Sequence, residues 1–414
     1  MNTSTYWIFN VSLETGFIYQ NDEVVGTETK RYFLQIESGS IVKIQEEQPK
    51  ENVTYIDAKG LLLMPSFRDM HIHLDKTFYG GPWKAPSNAP GGIFTRLQEE
   101  EQLLPQLRPY TKERAEKLIE LLIHSGTTTI RTHCNVGQIE GLHQLEATLE
   151  ARETYKDKAD IEIVAFPQQG LIRGQARIYV QEALKNGASF VGGVDPATID
   201  TDIEHSLQTM MELAVQADAG IDLHLHDSGH LGLFTMKRLA ALTKEAKMQG
   251  RVTISHALAL ADIRESELSE MAQILNEQKI DITSTVSLGK TIPIPFLHKQ
   301  GVNISLGADS ITDHWSPFGT GDSLDKATVY AERFGKKDEN SLHQALTFIT
   351  GHKTPLDQEG SRVWPTLVTP ADFVFVDATC SAEAVARRAE RKAVFFKGEM
   401  IVNKMDLEEG QTHE

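Results

Sequence analysis

A pair of histidines separated by one residue carries the clearest chemical signal in this 414-residue sequence. The segment from Asp69 to Lys76 reads DMHIHLDK and follows an apolar run that ends at Pro65. On an extended strand His71 and His73 point to the same side, because strand side chains alternate. Such a pair can hold one metal ion through both imidazoles, although two ordinary strand histidines would give the same pattern.

Further polar residues follow other short apolar runs along the chain. They share a position directly at or after the end of a run, and they are His133, Gln168, Asp195, His224, His226, His256 and Asp309. Three imidazoles and a carboxylate suit Zn²⁺, Fe²⁺ or Mn²⁺ and leave one position for water. The ion would lower the pKa of that water and make hydroxide available near neutral pH, while a neighbouring carboxylate or histidine moves protons.

The runs that position these residues alternate with amphipathic helical patterns. Eight runs of this kind are found, at residues 63–73, 127–133, 161–167, 189–194, 221–226, 251–256, 281–286 and 302–306. Eight strand–helix repeats predict an α/β fold, a (β/α)8 TIM barrel, in which the C-terminal ends of the strands form the active site. An open, doubly wound sheet is the alternative, but no G-x-G-x-x-G motif follows the first strand.

Both ends of the chain contain strand patterns without alternating helices. We expect a small β-sandwich domain formed from both termini, residues 1–62 plus 364–414, beside a barrel domain at residues 63–363. The segment at residues 77–108, called the lid segment here, is rich in Gly and Pro and breaks the barrel pattern. A loop of this length predicts a cover over the barrel mouth, and a disordered insertion is the alternative.

Composition excludes several classes of function. The net charge of −17, from 41 basic and 58 acidic residues, disfavours nucleic acid and anionic membranes as partners. No signal peptide or membrane-length apolar run is visible, and Cys134 and Cys380 are too few for a disulfide framework. We expect a cytoplasmic protein that binds a small molecule, with homo-oligomer formation left open.

The motifs together resemble the amidohydrolase superfamily, in its cytosine-deaminase-like branch, over nearly the whole chain. The segments that carry the resemblance are MPSFRDMHIHLDK at 64–76, RTH at 131–133, AFPQ at 165–168, VGGVDPAT at 191–198, SH at 255–256 and residues 309–321. Within this branch the sequence is most similar to the N-isopropylammelide isopropylamidohydrolases, a group of triazine-degrading enzymes. HDSG at 226–229, GGVDP at 192–196 and WSPFG at 315–319 support this similarity.

The resemblance implies one divalent metal ion, zinc in the first place, with iron or manganese as alternatives. Its implied ligands are His71, His73, His226 and Asp309. Binuclear members carry a carbamylated lysine at the end of strand four, where this chain has Asp195. His224 would then be a packed, hydrogen-bonded residue, and a direct role for His133 stays open.

The resemblance also implies catalytic and substrate-binding residues. His256 would face the metal-bound water and share proton transfer with Asp309, and Gln168 would hydrogen-bond the substrate ring. Apart from the resemblance, Lys76, Asp195 and Trp315 are candidate substrate contacts, with a surface lysine, a structural bond and packing as the respective alternatives. The expected reaction is attack of metal-bound hydroxide on a C–N bond of a planar heterocycle such as a pyrimidine or triazine, which makes the chain a deaminase or an amine-releasing hydrolase. A cyclic amidase and a catalytically silent metal-containing binding protein are the alternatives.

The chain departs from the cytosine deaminase pattern at two positions. Those enzymes have a glutamate three residues after the strand-five histidine, and counting from His226 this position is Gly229. They also have a histidine where this chain has Ala308. These differences argue against plain cytosine deamination but not against C–N hydrolysis.

Overall fold

The structure is a computed structural model that describes residues 5–50, 52–286, 289–405 and 409–411. The N-terminal part contributes the first five strands of one sheet. They are β1 (Thr5–Gln20), β2 (Glu23–Glu37), β3 (Ser40–Gln45), β4 (Thr54–Asp57) and β5 (Leu62–Pro65). Strands β1 and β2 form a long antiparallel hairpin that is the centre of this sheet.

The middle of the chain forms a second sheet, in which each strand pairs in parallel with the next along the sequence. Its strands are β6 (Phe67–Ile72), β7 (Thr127–Asn135), β8 (Asp160–Phe166), β9 (Phe190–Val194), β10 (Gly220–His224), β11 (Val252–Ser255), β12 (Ile280–Ser284) and β13 (Ile304–Leu306). A parallel bridge between Ile72 and Asp309 joins the first and last strands. The predicted TIM barrel is therefore confirmed, and its strands lie within a few residues of the predicted runs.

The C-terminal part returns to the first sheet. Its strands are β14 (Thr369–Pro370), β15 (Phe373–Val376), β16 (Arg391–Phe396), β17 (Glu399–Asn403) and β18 (Glu409–Gln411). Strand β5 pairs with both β1 and β15, so the two chain ends share one sheet of ten strands within the described residues. The predicted β domain built from both termini is thus present.

The described residues contain eleven α-helices, most of which follow barrel strands. They are α1 (Ile93–Leu107), α2 (Thr111–His124), α3 (His143–Tyr155), α4 (Ala176–Lys185), α5 (Ile203–Ala217), α6 (Gly229–Glu245), α7 (Glu265–Glu277), α8 (Ile294–Lys299), α9 (Ser323–Arg333), α10 (Glu339–Gln344) and α11 (Ser381–Arg387). Burial on both faces of the sheet explains why a strand such as β9 contains no polar side chain. Among the described helices none is long and apolar enough to cross a membrane.

The predicted first barrel strand, residues 63–73, is wrong as a single element. The chain changes sheets at Ser66, whose backbone N–H donates to Asp372 O of the β domain at 3.3 Å. The next residue, Phe67, donates to Gly126 O beside the barrel at 2.9 Å. Both halves are buried except for the partly exposed Arg68.

The lid segment is half helix rather than one long loop. Helix α1 occupies its second half, and Leu104 and Leu107 pack against Phe78, while Leu97 packs against Phe166. The alternative of a disordered insertion is therefore wrong for residues 93–107. The part between Gly80 and Gly92 has no helix or strand and is mostly exposed.

Candidate active site

Imidazoles from several strands converge with one carboxylate at the C-terminal end of the barrel. They are His71 in β6, His73 directly after it, His133 in β7, His224 at the end of β10, His226, His256 directly after β11, and Asp309 after β13. Each of these seven residues lies at the end of its strand, where a parallel barrel brings all strand ends together. The structure therefore gathers the polar strand ends that the sequence pattern indicated.

The strand-one histidines share one oxygen of Asp309. His71 Nε2 lies 3.5 Å and His73 Nε2 lies 3.4 Å from Asp309 Oδ1. These distances exceed the roughly 2.7–2.9 Å of charged hydrogen bonds. They match the spacing of about 3.4 Å between two ligands that each lie about 2.1 Å from a tetrahedral metal ion. His71 Nε2 is also buried without a hydrogen-bond partner among the described residues, so this donor set fits a divalent cation.

Backbone hydrogen bonds fix this arrangement. Asp309 N donates to His71 O at 2.7 Å, and His73 N donates to Asp309 O at 3.2 Å. Asp309 has a φ of 63°, a left-handed conformation that aspartate tolerates better than most residues. The loop after β13 is thereby attached to β6 at the level of the two histidines.

Burial keeps His73, His224 and His256 in the neutral form that can bind a metal ion. It lowers the pKa of His73 to about 4, with a further contribution from the Lys76 charge. Burial also lowers the pKa of His224 and of His256 well below the usual value. It would raise the pKa of Asp309, but His71 and His73 hold that pKa well below its usual range. Neutral imidazoles and an ionised carboxylate are the protonation states that a metal ion requires.

The two strand-five histidines have different environments. The His224 ring lies 4.5 Å from the His71 ring and 5.5 Å from the His73 ring, and both its nitrogens are buried without partners in the described part of the chain. The His226 side chain is 39% exposed, and its ring lies 4.3 Å from His256. The donor atoms of His71, His133 and His224 lie within 4.8 Å of one another, as do those of His71, His256 and Asp309. His224, predicted to be a packed residue, thus lies closer to the strand-one pair than His226 does.

Asp195 supports His226 from the end of β9. Its Oδ2 accepts from His226 Nδ1 at 2.9 Å, and its Oδ1 accepts from the backbone N–H groups of His226 at 2.5 Å and Asp227 at 3.0 Å. Both carboxylate oxygens are therefore occupied by the strand-five turn. A contact between Asp195 and substrate stays a prediction.

Three of the four predicted substrate contacts line one cavity with the histidines. Lys76 is buried, and its ammonium donates to Gln168 Oε1 at 2.8 Å and to Glu100 Oε1 at 3.2 Å. Trp315 Nε1 donates to the same Glu100 oxygen at 3.3 Å, and the Trp315 ring lies 5.6 Å from Lys76 Nζ. Because an ammonium can only donate, the Gln168 carbonyl must face Lys76, which leaves the Gln168 NH₂ for an acceptor on a ligand.

Glu100 is the functional candidate that sequence reasoning missed. It comes from helix α1 of the lid segment and is fully buried. Burial would raise its pKa, but Lys76 and His314 bring that pKa down to about 2. The sequence offers no signal for this role, because Glu100 lies in a run of three glutamates, and such runs are usually solvated.

The cavity itself is small and partly open to solvent. Its volume is about 50 Å³, and its lining includes His73, His256, Asp309 and Trp315. A cavity of about 150 Å³ is known to hold benzene, so a heterocycle needs more room than this. Glu100 of helix α1 bonds Lys76 and Trp315 of the cavity lining, so movement of the lid segment would make room for a ring.

We expect limited proteolysis to cut the exposed stretch between Gly80 and Gly92 first. Cleavage within α1 should follow as a second step. A bound ring that keeps α1 against Lys76 should slow this second cleavage, because the contacts of Glu100 with Lys76 and Trp315 are then maintained. The measurement is the time course of cleavage, with and without a confirmed ligand. Glu100→Gln is the matched variant, and its helix α1 should be cleaved faster than that of the wild type. Identical time courses for all samples would make the lid segment a passive insertion.

Comparisons with known proteins agree with this architecture. The model of the amidohydrolase family matches residues 54–402. The uncharacterized protein YahJ of Escherichia coli (strain K12) is 44% identical over 402 residues, which is 96% of this chain and 87% of YahJ. The N-isopropylammelide isopropyl amidohydrolase of Pseudomonas sp. (strain ADP) is 31% identical over 409 residues, which is 95% of this chain and 97% of that protein.

Solved structures give the same picture. N-isopropylammelide isopropylaminohydrolase from Burkholderia multivorans ATCC 17616 superposes with a TM-score of 0.84 at 27% identity, covering 97% of this chain and 99% of that one. 5-Methylcytosine deaminase from Klebsiella pneumoniae, liganded with 5-fluorocytosine, superposes with a TM-score of 0.77 at 25% identity. That match covers 96% of this chain and 98% of the deaminase.

Proposed function

Because the chain belongs to the amidohydrolase family, we propose that it hydrolyses a C–N bond on a planar nitrogen heterocycle. The N-isopropylammelide hydrolases to which it is similar act on carbon–nitrogen bonds other than peptide bonds. A pyrimidine or a triazine is the proposed substrate class, and ammonia or an alkylamine is the product that leaves. The observation that carries the proposal is the pair of 3.4–3.5 Å distances from two buried imidazoles to one Asp309 oxygen.

We assign the metal ligands as His71, His73, His224 and Asp309. This replaces His226 of the sequence-based set by His224, because the His224 ring lies beside both strand-one histidines and neither of its nitrogens has a hydrogen-bond partner in the described residues. One divalent ion is proposed, zinc first, with iron and manganese as alternatives. When bound, such an ion activates water for hydrolysis near neutral pH.

Proton transfer is assigned to His256 and Asp309. His256 Nε2 is buried without a partner in the described chain, and its backbone N–H donates to Thr283 O at 2.8 Å, which holds the residue above the barrel axis. A neutral imidazole there can accept a proton from water and donate it to a departing nitrogen. Asp309 is ionised and can take the first proton.

The new ligand assignment also changes which residue corresponds to the missing family glutamate. Three residues after His224 the chain has Asp227, so an acid is present where counting from His226 gave Gly229. Asp227 Oδ1 accepts from the Thr198 hydroxyl at 2.5 Å, and its Oδ2 accepts from Ala197 N at 3.3 Å. Asp227 would have to leave these contacts to take part in proton transfer.

Substrate recognition is assigned to Gln168, Lys76 and Trp315, which line the cavity. The Gln168 NH₂ would donate to a ring nitrogen or carbonyl oxygen, and Lys76 keeps the amide in this orientation. The Trp315 ring offers a face for a planar substrate. Asp195 would act through His226 rather than on the ring.

The experiment that tests the proposed function is a screen of metal-loaded protein against pyrimidines, triazines and pterins for released ammonia and alkylamine. Turnover that depends on the metal and releases an amine would support the proposal. Ring opening without amine release would indicate a cyclic amidase. Metal binding without turnover on any ring class would indicate a silent binding protein.

A further inference from the structure

A chain of hydrogen bonds leads from the proposed metal site into the barrel interior. His71 Nδ1 lies 2.8 Å from Ser255 Oγ, and Ser255 Oγ lies 2.7 Å from Asp222 Oδ1. All three side chains are almost completely buried, with exposures of 1% for His71 and 0% for the other two. Strands β10 and β11 pair side by side and hold Asp222 and Ser255 at fixed positions.

The charge of Asp222 sets the direction of this chain. Its other oxygen, Oδ2, lies 3.2 Å from Arg131 Nη1, and Arg131 stays protonated in proteins. Arg131 is held in place by Glu162 at 2.8 Å and by Thr253 Oγ1 at 3.1 Å. Asp222 therefore faces a permanent positive charge with one oxygen and Ser255 with the other, and a carboxylate paired with a guanidinium accepts hydrogen bonds.

The proton positions follow from this. The Ser255 hydroxyl has one proton, and because Asp222 only accepts, that proton goes to Asp222. Ser255 Oγ must then accept from an N–H at His71 Nδ1. A neutral imidazole carries one N–H, so the His71 Nε2 lone pair faces Asp309 at 3.5 Å.

We propose that Ser255 and Asp222 are positioning residues that hold His71 in the tautomer whose Nε2 can bind a metal ion. The inference rests on the proposed metal site, but not on the substrate or the reaction. His73 offers a parallel, because its Nδ1 lies 3.1 Å from the backbone carbonyl of His133, which also only accepts. The hydrogen-bond acceptor of His73 is therefore a backbone carbonyl, which a side-chain substitution does not remove. The acceptor of His71 is the Ser255 side chain, which can be removed.

The test is the affinity of the full-length protein for Zn²⁺, measured by chelator competition. Ser255→Ala should lower this affinity about 10–100-fold, the usual cost of removing a group that orients a ligand. Ser255→Thr keeps the hydroxyl and should restore near-wild-type affinity. Thr253→Val is the matched control, because it removes a buried hydroxyl from the same strand and the same Arg131 network without touching His71. Thermal unfolding of each variant checks the fold.

Wild-type affinity in Ser255→Ala, or an equal loss in Thr253→Val, would overturn the inference. If Ser255→Ala does not fold, ¹⁵N NMR of histidine-labelled, metal-free wild-type protein reports the His71 tautomer directly. The His71 signal, assigned with His71→Gln, should show the Nδ1–H tautomer, and an Nε2–H tautomer would contradict the proposal. A wild-type protein that binds no zinc would instead remove the metal site, and this inference with it.

Discussion

Replacing His224 with alanine should lower the affinity for Zn²⁺ by about a hundredfold or more, whereas His226→Ala should stay near the wild-type value. Structural zinc sites with four ligands gain roughly 10–16 kcal/mol, which is about 3 kcal/mol or a hundredfold per ligand. His224 lies beside His71 and His73 with both nitrogens unpartnered in the described residues, while His226 already bonds Asp195. The two variants remove the same chemical group two residues apart, so each controls for the other.

The measurement is chelator competition together with the metal-to-protein ratio from elemental analysis. Both variants should remain folded without metal, with a lower unfolding temperature for His224→Ala because its buried ring packs on Phe166, so thermal unfolding is measured on metal-free samples. Loss of zinc in His226→Ala with normal binding in His224→Ala would restore His226 as the ligand and contradict the geometry. Equal loss in both would mean that the two strand-five histidines act as a unit.

Replacing His256 with alanine should lower kcat on the order of a hundredfold or more while zinc binding stays normal, the size expected for loss of a general acid–base group. His256 faces the cavity beside Asp309, and its free Nε2 is the nitrogen that can pass a proton to the leaving group. His256→Gln can keep a hydrogen bond but cannot carry a proton, so it should be similarly impaired. Steady-state kinetics on metal-loaded variants measure the effect.

A surface histidine provides the control for this experiment. His230 is exposed on α6, and it contacts only Glu267 at 3.6 Å among the ion pairs of the described chain. His230→Ala should keep the wild-type kcat. If His256→Ala also keeps it, proton transfer runs through Asp309 or Asp227, and the role of His256 is wrong. If His256→Ala loses zinc, His256 is itself a ligand.

The barrel could be predicted because its strands are largely buried on both faces, and eight short runs rich in apolar residues alternate with helical patterns. The polar strand ends identified the site for the same reason, since only the strand ends face solvent or ligand. The choice between His224 and His226 could not be made in this way. Alternation shows which side of the strand a residue faces, but its depth depends on where β10 ends beside β9 and β11.

Contacts between distant segments were also beyond local patterns. The change of sheet at Ser66 lies between two buried segments, and their pairing partners in different sheets distinguish the two halves. Glu100 is buried because Lys76, His314 and Trp315 meet it from two other loops. The residues next to Glu100 in the sequence do not indicate these partners. The lid segment was therefore predicted without the contacts that Glu100 makes with the rest of the site.

The most direct measurement is product analysis after incubating metal-loaded protein with an amino- or alkylamino-substituted ring in ¹⁸O-labelled water. We expect one amine released per ring product, with one ¹⁸O atom at the ring carbon that lost the nitrogen, and no product after the metal is removed. A product that carries the mass of one added water and releases no amine would show ring opening and contradict the proposed reaction. Unchanged turnover in metal-free protein would contradict the metal site formed by His71, His73, His224 and Asp309.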